Sequence, residues 1–466
     1  MPFFQAQSLI ERGSTTIPQT LQFGNLYGAF DLHGQPRAPY PAGQALLSLP
    51  LVVVGKFILT HLPGVPRTWE AVFYLQVFGA VLTTAIFAGA TMAFFFLTLR
   101  RLSVSLRSAV LLTCCVAFGT LLFPYSGYFF SEPFTSSILM AAVFVVCNST
   151  RPLSVRGAVI VGLLLALVVW IRPTMILAAG VFVAGLLLRD GRIAMRRAAM
   201  MSAIPAISGL LYLLSNKVVF GSAFNFGYPE TEEMLGKHLN SFHTPFYIGL
   251  EGFLLSPGKS IFIFMPLLIL AIMGIRRLWI RERAVATISL GLPIIYLLFY
   301  MRYTQWEGGF CPGPRYLLPF LLITCLAVGP LIDERRFRRS VLMLAMVGFA
   351  VQAITYSTSF LEIQAIGHGD YYDSNLNYRM SYDPLVTQTK ALIAYSRGKP
   401  ASLGLGFDRW FIFLHKLGVA TYTEILIAAV PIFLLVLSVL KLTRLFKEER
   451  LAGIDLRDSA VNLVLT

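Results

Sequence analysis

Charged residues are scarce in this chain of 466 residues, where Lys, Arg, Asp and Glu together make up only 13% of the sequence. Hydrophobic residues make up 56%, and the mean hydropathy is +0.70. A chain with so few charges cannot cover its surface with polar groups in water, which excludes an ordinary soluble globular protein. The composition therefore predicts a polytopic membrane protein of the all-α class.

The sequence also lacks the common signatures of metal sites and soluble enzymes. Its five cysteines show the spacing neither of a disulfide framework nor of a zinc site, and its six histidines include no pair at helical metal-ligand spacing. Walker, dinucleotide-binding and G-x-S-x-G motifs are absent. The amino terminus shows no charged segment followed by an apolar core, so the sequence predicts no signal peptide.

Apolar runs of about 18 residues or more predict the membrane-spanning helices. They are residues 69–99, 108–124, 132–149, 157–171, 174–189, 198–216, 259–276, 285–301, 316–333, 340–357 and 421–441. The pattern indicates a helical bundle of about eleven transmembrane helices. A further apolar stretch, 43–60, contains Pro50 and ends near Lys56, which favours a helix lying along the membrane interface.

Lys and Arg collect in every second connection between these runs, which predicts that those connections are cytoplasmic. The clusters are Arg100, Arg101 and Arg107; Arg151 and Arg156; Arg189, Arg192, Arg196 and Arg197; Arg276, Arg277, Arg281 and Arg283; Arg335, Arg336, Arg338 and Arg339; and Lys441, Arg444, Lys447 and Arg450. The amino-terminal segment then lies outside and the carboxy terminus inside. The net charge of +15 is therefore an orientation signal and an attraction to anionic lipid, and we expect no nucleic-acid partner.

This topology divides the chain into four parts. An outside segment with the interfacial helix is followed by the bundle, a second outside segment, and the last transmembrane helix with its cytoplasmic tail. The parts are 1–68; 69–357, with outside loops at 124–133, 217–258 and 302–315; 358–419; and 420–466. Because the long aromatic-rich loops share one face, we expect a binding site at the outer boundary between membrane and water.

Ionisable residues stand at the outer ends of several spans, where they are costly and often functional. Glu132 begins a span, although an acid at a helix start is also ordinary. Arg172 precedes the helix-breaking Pro173, and a snorkelling structural arginine is the alternative. Lys259 follows a Ser-Pro-Gly turn that suits either a phosphate or an interfacial anchor. We expect these residues and Arg315 to converge on one cavity.

The stretch YTQWEGGFCPGPRYLLPFLL, residues 303–322, interrupts the apolar sequence with glycines and prolines that prevent a regular helix. Arg315 stands at the mouth of the following span, where its planar guanidinium suits a phosphate. Glu307 orients this arginine or forms a merely structural salt bridge. Trp306 and Tyr303 suit the membrane interface, with their rings buried and their polar ends in water.

A series of segments over residues 5–321 carries a resemblance. In chain order they are QAQSLIERGS, DLHGQPRAPYPAGQALLSLPLVVVGK, SGYFFSEPF, VVWIRPT, GFLLSPGKSIFIFMPLL and QWEGGFCPGPRYLLPFL. Together they resemble the GT-C class of polytopic glycosyltransferases, particularly bacterial relatives of the protein O-mannosyltransferases and of the lipid A aminoarabinose transferases. The resemblance implies transfer of a hexosyl or pentosyl group from a polyprenyl-phosphate donor, on the non-cytoplasmic side of the plasma membrane. The implied partners are the donor, the bilayer and a glycan, lipid or protein acceptor.

The resemblance also implies roles for individual residues. Donor phosphate binding falls to Lys259, Arg315 and Arg172, with support from Glu307, Trp306, Tyr303, Tyr40 and Arg37. Members of the class usually carry a first transmembrane helix and a catalytic acid before the segment that resembles QAQSLIERG. That comparison places both upstream of Met1, and within the chain Glu132 and Asp31 are the candidate catalytic carboxylates. Some relatives use a divalent cation and others do not, so a metal stays open.

Two other classes of function stay open. A secondary transporter predicts related halves with interrupted helices at corresponding positions, and the sequence shows no convincing internal repeat. A catalytically inactive, lipid-binding relative of the transferases is the other alternative, because the usual acid lies upstream of Met1 in the comparison with the class.

Overall fold

The structure is a computed structural model that describes residues 1–23, 29–226, 242–309, 311–357, 383–398, 415 and 417–452. Parts of the predicted outside segments and of the predicted cytoplasmic tail lie beyond these residues. The affected predictions are those for 1–68, 217–258, 302–315, 358–419 and 420–466. The division into four parts and the orientation in the membrane stay predictions.

Helices make up most of the described residues. They are α1 (Pro2–Arg12), α2 (Gly43–Phe57), α3 (Trp69–Arg101), α4 (Leu106–Phe118), α5 (Leu122–Tyr125), α6 (Ser131–Asn148), α7 (Val155–Val169), α8 (Ile176–Asp190), α9 (Met195–Phe220), α10 (Phe246–Leu255), α11 (Ile261–Phe264), α12 (Leu268–Arg281), α13 (Arg283–Tyr300), α14 (Leu318–Thr324), α15 (Gly329–Ile332), α16 (Arg335–Ser357), α17 (Pro384–Ser396) and α18 (Thr421–Ala452). Two strands, β1 (Ala29–Phe30) and β2 (Pro36–Arg37), form an antiparallel hairpin.

Eight candidate spans in the described residues are long and apolar enough to cross a membrane. This confirms the predicted polytopic helical membrane protein, whereas the number of about eleven spans stays a prediction. The predicted span 259–276 is divided into the short helices α11 and α12, because Pro266 interrupts the backbone ladder. The stretch Gly43–His61 is itself a candidate span, so its expected position along the interface stays a prediction too.

Glycines allow the helices to pack backbone against backbone. A Cβ atom at Gly79 of α3 would lie 2.1 Å from the carbonyl oxygen of Leu51 in α2. At Gly274 of α12 it would lie 1.8 Å from the carbonyl oxygen of Ala327. Inside a membrane, helices associate mainly through such close packing, because lipid tails are as apolar as the side chains. These contacts fix the helices on which the polar residues stand.

Two spans form the centre of the bundle. The apolar window of Ser131–Asn148 is 78% buried and that of Arg315–Ile332 is 83% buried, the highest values of the eight candidate spans in the described residues. Glu132 and Arg315 stand at the first turns of these two spans. Two predicted site residues therefore lie at the starts of the two most deeply buried candidate spans in the described residues.

The amino-terminal segment is anchored at the same end of the bundle. The amide of Gly43 donates to the carbonyl of Trp170 over 2.9 Å, and the side chain of Gln44 donates to the carbonyl of Phe129 over 3.2 Å. These bonds join the start of α2 to the end of α7 and the start of α6. The segment that carries Tyr40 therefore lies beside the helix ends that carry Glu132 and Arg172.

Replacing Gly274 by Ala is expected to lower the melting temperature of the detergent-purified protein. The added methyl group would push α12 away from Ala327, and such overpacking costs about 1–3 kcal/mol. Gly89→Ala in α3 is the matched control, because its added Cβ would meet nothing within 4 Å. That change should stabilise a helix by about 0.5–1 kcal/mol. Equal melting temperatures of the two variants would contradict this account of the packing.

Candidate functional site

The carboxylate of Glu132 lies between two arginines. Its Oε1 atom is 3.3 Å from Nη1 of Arg172 and 3.9 Å from Nε of Arg315. Arg172 comes from the break between α7 and α8, and Arg315 from the turn that leads into α14. Glu132 is 2% exposed, so these charges compensate one another largely away from water. Three residues far apart in sequence therefore form one buried ionic cluster.

The ring of Tyr316 lies in contact with both arginines. The guanidinium carbons of Arg172 and Arg315 are each 4.9 Å from its centroid, the distance of a cation–π contact. Phe130 lies 5.1 Å from the Arg315 guanidinium, and Tyr300 stacks on Tyr316 at 4.8 Å. These rings restrict the guanidinium positions, and the hydroxyl of Tyr316 also accepts a hydrogen bond from Nη2 of Arg315 over 3.4 Å.

The cluster keeps unused hydrogen-bonding atoms. Glu132 Oε2, Arg172 Nη1 and Arg315 Nε are buried, and none of them has a hydrogen-bond partner among the described residues. Two guanidiniums and one carboxylate leave a net positive charge, which favours an anion. Tyr40 is 42% exposed and lies within electrostatic range of all three charged residues, so the cluster borders an exposed side chain.

The chain between α13 and Arg315 is irregular and passes directly beside the cluster. Gly308, Gly309 and Gly313 have φ values of 73°, 77° and 62°, in the left-handed region that glycine tolerates. A Cβ atom at Gly308 would lie only 3.0 Å from Cγ and Nε of Arg315. These glycines let the backbone turn closely around the arginine side chain.

Lys259, predicted as a phosphate ligand, lies behind this irregular chain. It is 0% exposed, and its Nζ donates to the carbonyl of Gly309 over 2.7 Å and to that of Cys311 over 2.6 Å. Cys311 in turn accepts at its Sγ atom from Nη1 of Arg315 over 3.4 Å. Glu132, Arg172 and Arg315 thus meet directly, and Lys259 joins them through Cys311. Its role in phosphate binding stays a prediction.

The position of Trp306 differs from the one expected from the sequence. The sequence places its indole at the interface with the N–H in water, but the side chain is 1% exposed inside the protein. Its ring packs edge-on against Phe253 at 5.3 Å and lies over Gly252, where a Cβ would be 2.0 Å from Cη2. Glycines spaced along the apolar helix FYIGLEGFLL were the sequence signal for this packing. Tyr303 packs near Tyr300 and is half-buried.

Asp31 forms the turn of the β hairpin. Its Oδ1 accepts from the amides of His33 and Gln35, both over 2.9 Å, and its Oδ2 accepts from Nε of Arg37 over 2.8 Å. Burial acts to raise the pKa of this carboxyl, but the three hydrogen bonds outweigh it and lower the pKa below its ordinary value. The side chains of Asp31 and Arg37 therefore both form hydrogen bonds within the hairpin. A catalytic role of Asp31 and a supporting role of Arg37 stay predictions.

Several residues at the site escaped the sequence analysis. Tyr316 and Tyr300 lie in apolar runs, where an aromatic residue most often packs in the core, and only the position of Tyr316 beside Arg315 was a signal. Asp383 caps α17 by accepting at Oδ1 from two backbone amides, and it lies beside the turn that carries Lys259.

Among the described residues, no group of three or more His, Cys, Asp or Glu side chains is placed to hold a metal.

Solved structures similar to this chain include two of ArnT from Cupriavidus metallidurans, one bound to undecaprenyl phosphate and one in the apo state. Each alignment covers 91% of this chain and 70% of ArnT, with a TM-score of 0.46 and sequence identities of 15% and 14%. No protein-family model and no curated protein matches this chain.

The titration of Glu307 gives a testable pH dependence. Burial is the largest influence on its pKa and raises it from 4.5 to about 7, although Lys259 and Arg315 oppose the shift. Between pH 4.5 and about 7, Glu307 is protonated in the folded protein but ionised in the unfolded chain. Glu307 therefore makes stability fall as the pH rises from 4.5 to about 7, and its contribution is constant above that range.

Glu307→Gln cannot titrate, so its melting temperature should depend less on pH in this window. The wild-type and variant proteins are compared by thermal unfolding across the window. Burial also raises the pKa of Asp383, but this carboxyl is present in both proteins and cancels in the difference. Identical pH profiles would show that Glu307 has an ordinary pKa.

Proposed function

We propose that this protein is a membrane glycosyltransferase that moves a sugar from a polyprenyl-phosphate donor to an acceptor hydroxyl at the outer side of the plasma membrane. The convergence of Arg172 and Arg315 on one carboxylate and one aromatic ring carries this proposal. A buried cluster with net positive charge and unused N–H donors suits a phosphate group. The ordered series of GT-C-like segments supports the same function.

The two arginines are the proposed phosphate ligands. Arg315 Nε and Arg172 Nη1 form ion pairs with Glu132 Oε1, but neither has a hydrogen-bond partner among the described residues. A bound phosphate would accept from these atoms and would share the guanidinium charge with Glu132. The surrounding rings of Tyr316, Tyr300 and Phe130 already restrict both side chains, so little further ordering is needed when the phosphate binds.

The proposed reaction needs few groups. The acceptor oxygen attacks the anomeric carbon, the bond from that carbon to the phosphate oxygen breaks, and the phosphate leaves with the electron pair. The hydroxyl proton passes to a carboxylate, and Glu132 Oε2 is the candidate atom because it has no hydrogen-bond partner among the described residues. The arginines stabilise the negative charge that grows on the leaving phosphate.

The position of the cluster also fits a lipid-linked donor. Glu132 and Arg315 begin the two most buried candidate spans of the described residues. On the neighbouring helix α13, the apolar side chains of Leu290, Ile294 and Leu298 are exposed on the surface of the bundle. A polyprenyl tail can lie against such helix surfaces while its phosphate reaches the arginines. Undecaprenyl phosphate, which is bound in one ArnT structure, is therefore the appropriate probe.

Replacing Arg315 by Lys is expected to weaken binding of undecaprenyl phosphate by at least about tenfold, because the positive charge remains but the planar guanidinium donors are lost. Binding is measured by the thermal shift of the detergent-purified full chain, and sugar transfer is measured in membrane vesicles supplied with polyprenyl-phosphate sugars. Arg302→Lys is the matched control, since Arg302 lies on the same connection and is exposed.

The outcomes separate the functional classes. Loss of binding and transfer in Arg315→Lys alone, with normal accumulation in the membrane, is the expected result. Binding of undecaprenyl phosphate to the wild-type protein without any transfer would favour the inactive lipid-binding relative. Equal binding and transfer by both variants and the wild-type protein would remove Arg315 from the site.

A further inference from the structure

Lys259 is the most completely buried cationic side chain beside the candidate site. It follows the Ser-Pro-Gly turn between α10 and α11, and this turn is closed by amides of Lys259 and Ser260 that donate to the carbonyl of Ser256. The side chain is 0% exposed. Burying an ammonium costs free energy unless hydrogen bonds and opposite charges compensate it. The hydrogen-bond partners of Lys259 Nζ therefore indicate the role of this buried charge.

The hydrogen bonds of Lys259 are directed at the irregular chain. Nζ donates to the carbonyls of Gly309 and Cys311, over 2.7 Å and 2.6 Å. Gly309 and Cys311 lie outside the helices and strands, so their carbonyls take part in no regular backbone hydrogen bonding. A lysine ammonium offers three donors and no acceptor. One ammonium thus satisfies two backbone acceptors and ties two positions of the segment to the α10–α11 turn.

The same segment positions Arg315. Cys311 accepts at its carbonyl from Lys259 and at its Sγ from Arg315 Nη1. Gly308 lies against the arginine side chain, where a Cβ atom would be 3.0 Å from its Cγ and Nε. A shift of the segment would therefore displace the guanidinium from its place beside Tyr316.

Two buried carboxylates lie near the ammonium. Glu307, which is 6% exposed, and Asp383, which is 2% exposed, are both within electrostatic range of Lys259. Oε2 of Glu307 and Oδ2 of Asp383 have no hydrogen-bond partner among the described residues. The ammonium therefore offsets the charge of two buried carboxylates at a distance, while its hydrogen bonds go to the carbonyls of Gly309 and Cys311.

We propose that Lys259 is a positioning residue, whose ammonium holds the backbone carbonyls of Gly309 and Cys311 and thereby places Arg315. The statement that Arg315 binds a donor phosphate rests on the proposed function, whereas the effect of Lys259 on the segment does not. Lys259 acts through Arg315, and a loss of its hydrogen bonds should loosen the segment before any substrate is involved.

The test uses Cys311 as a reporter of the segment. The thiol is 6% exposed, so a maleimide reaches it only when the segment opens. The full chain carries Ala at Cys114, Cys115, Cys147 and Cys325, which leaves Cys311 as the single thiol. Labelling rates are measured in detergent, and the binding of undecaprenyl phosphate is measured on the same samples.

Lys259→Met is expected to raise the labelling rate of Cys311 by at least about tenfold, because two charge-assisted hydrogen bonds are lost. Lys259→Arg keeps the charge and the donors and should restore slow labelling. Lys390→Met, an exposed lysine on α17, is the matched control and should label at the original rate. If Lys259→Met does not accumulate, Lys259→Gln replaces it, and faster labelling is again expected.

Unchanged labelling of Cys311 in Lys259→Met, or in its replacement, would overturn the proposal. Weaker binding of undecaprenyl phosphate without faster labelling would also overturn it, because Lys259 would then be a direct ligand. Absence of binding by the protein with Lys259 intact would count against the proposed function alone, and the labelling rates would still decide the role of Lys259.

Discussion

Backbone that leaves a helix inside an apolar bundle must still satisfy its polar groups, and the candidate site depends on how this chain does so. The irregular segment before Arg315 exposes carbonyls that no helix or strand pairs. Lys259 donates to two of them, and the hydroxyl of Tyr125 donates to the carbonyl of Pro312 over 2.9 Å. These side chains replace the missing backbone ladder and hold the segment in one conformation.

The same constraint explains why the charged residues occur as a set. A lone Glu132 or a lone Arg315 at these buried positions would have an uncompensated charge, whereas together with Arg172 they compensate one another. The compensation is incomplete, since one positive charge and several donor and acceptor atoms are left over. A phosphate would complete it, which connects the stability of the cluster to the function that we propose.

Much of the site could be predicted because ionisable residues are rare in apolar sequence. Glu132, Arg172 and Arg315 stand out against their neighbours, and the structure brings them together. Trp306 was misplaced because an indole is common both at the membrane interface and in a packed core, and only its fit over Gly252 decides between them. Lys259 was found, but the direction of its Nζ depends on the fold of the segment beside it.

By itself, the sequence determined that this is a polytopic helical membrane protein, because hydropathy sums over long runs and does not depend on neighbouring helices. It also determined which helix ends carry charge. Only the tertiary structure decided that Tyr316 contacts both arginines, that Asp31 is hydrogen-bonded within a hairpin, and that Lys259 donates to two carbonyls. These arrangements are set by close packing between segments distant in sequence, and periodicity along one segment carries no information about the others.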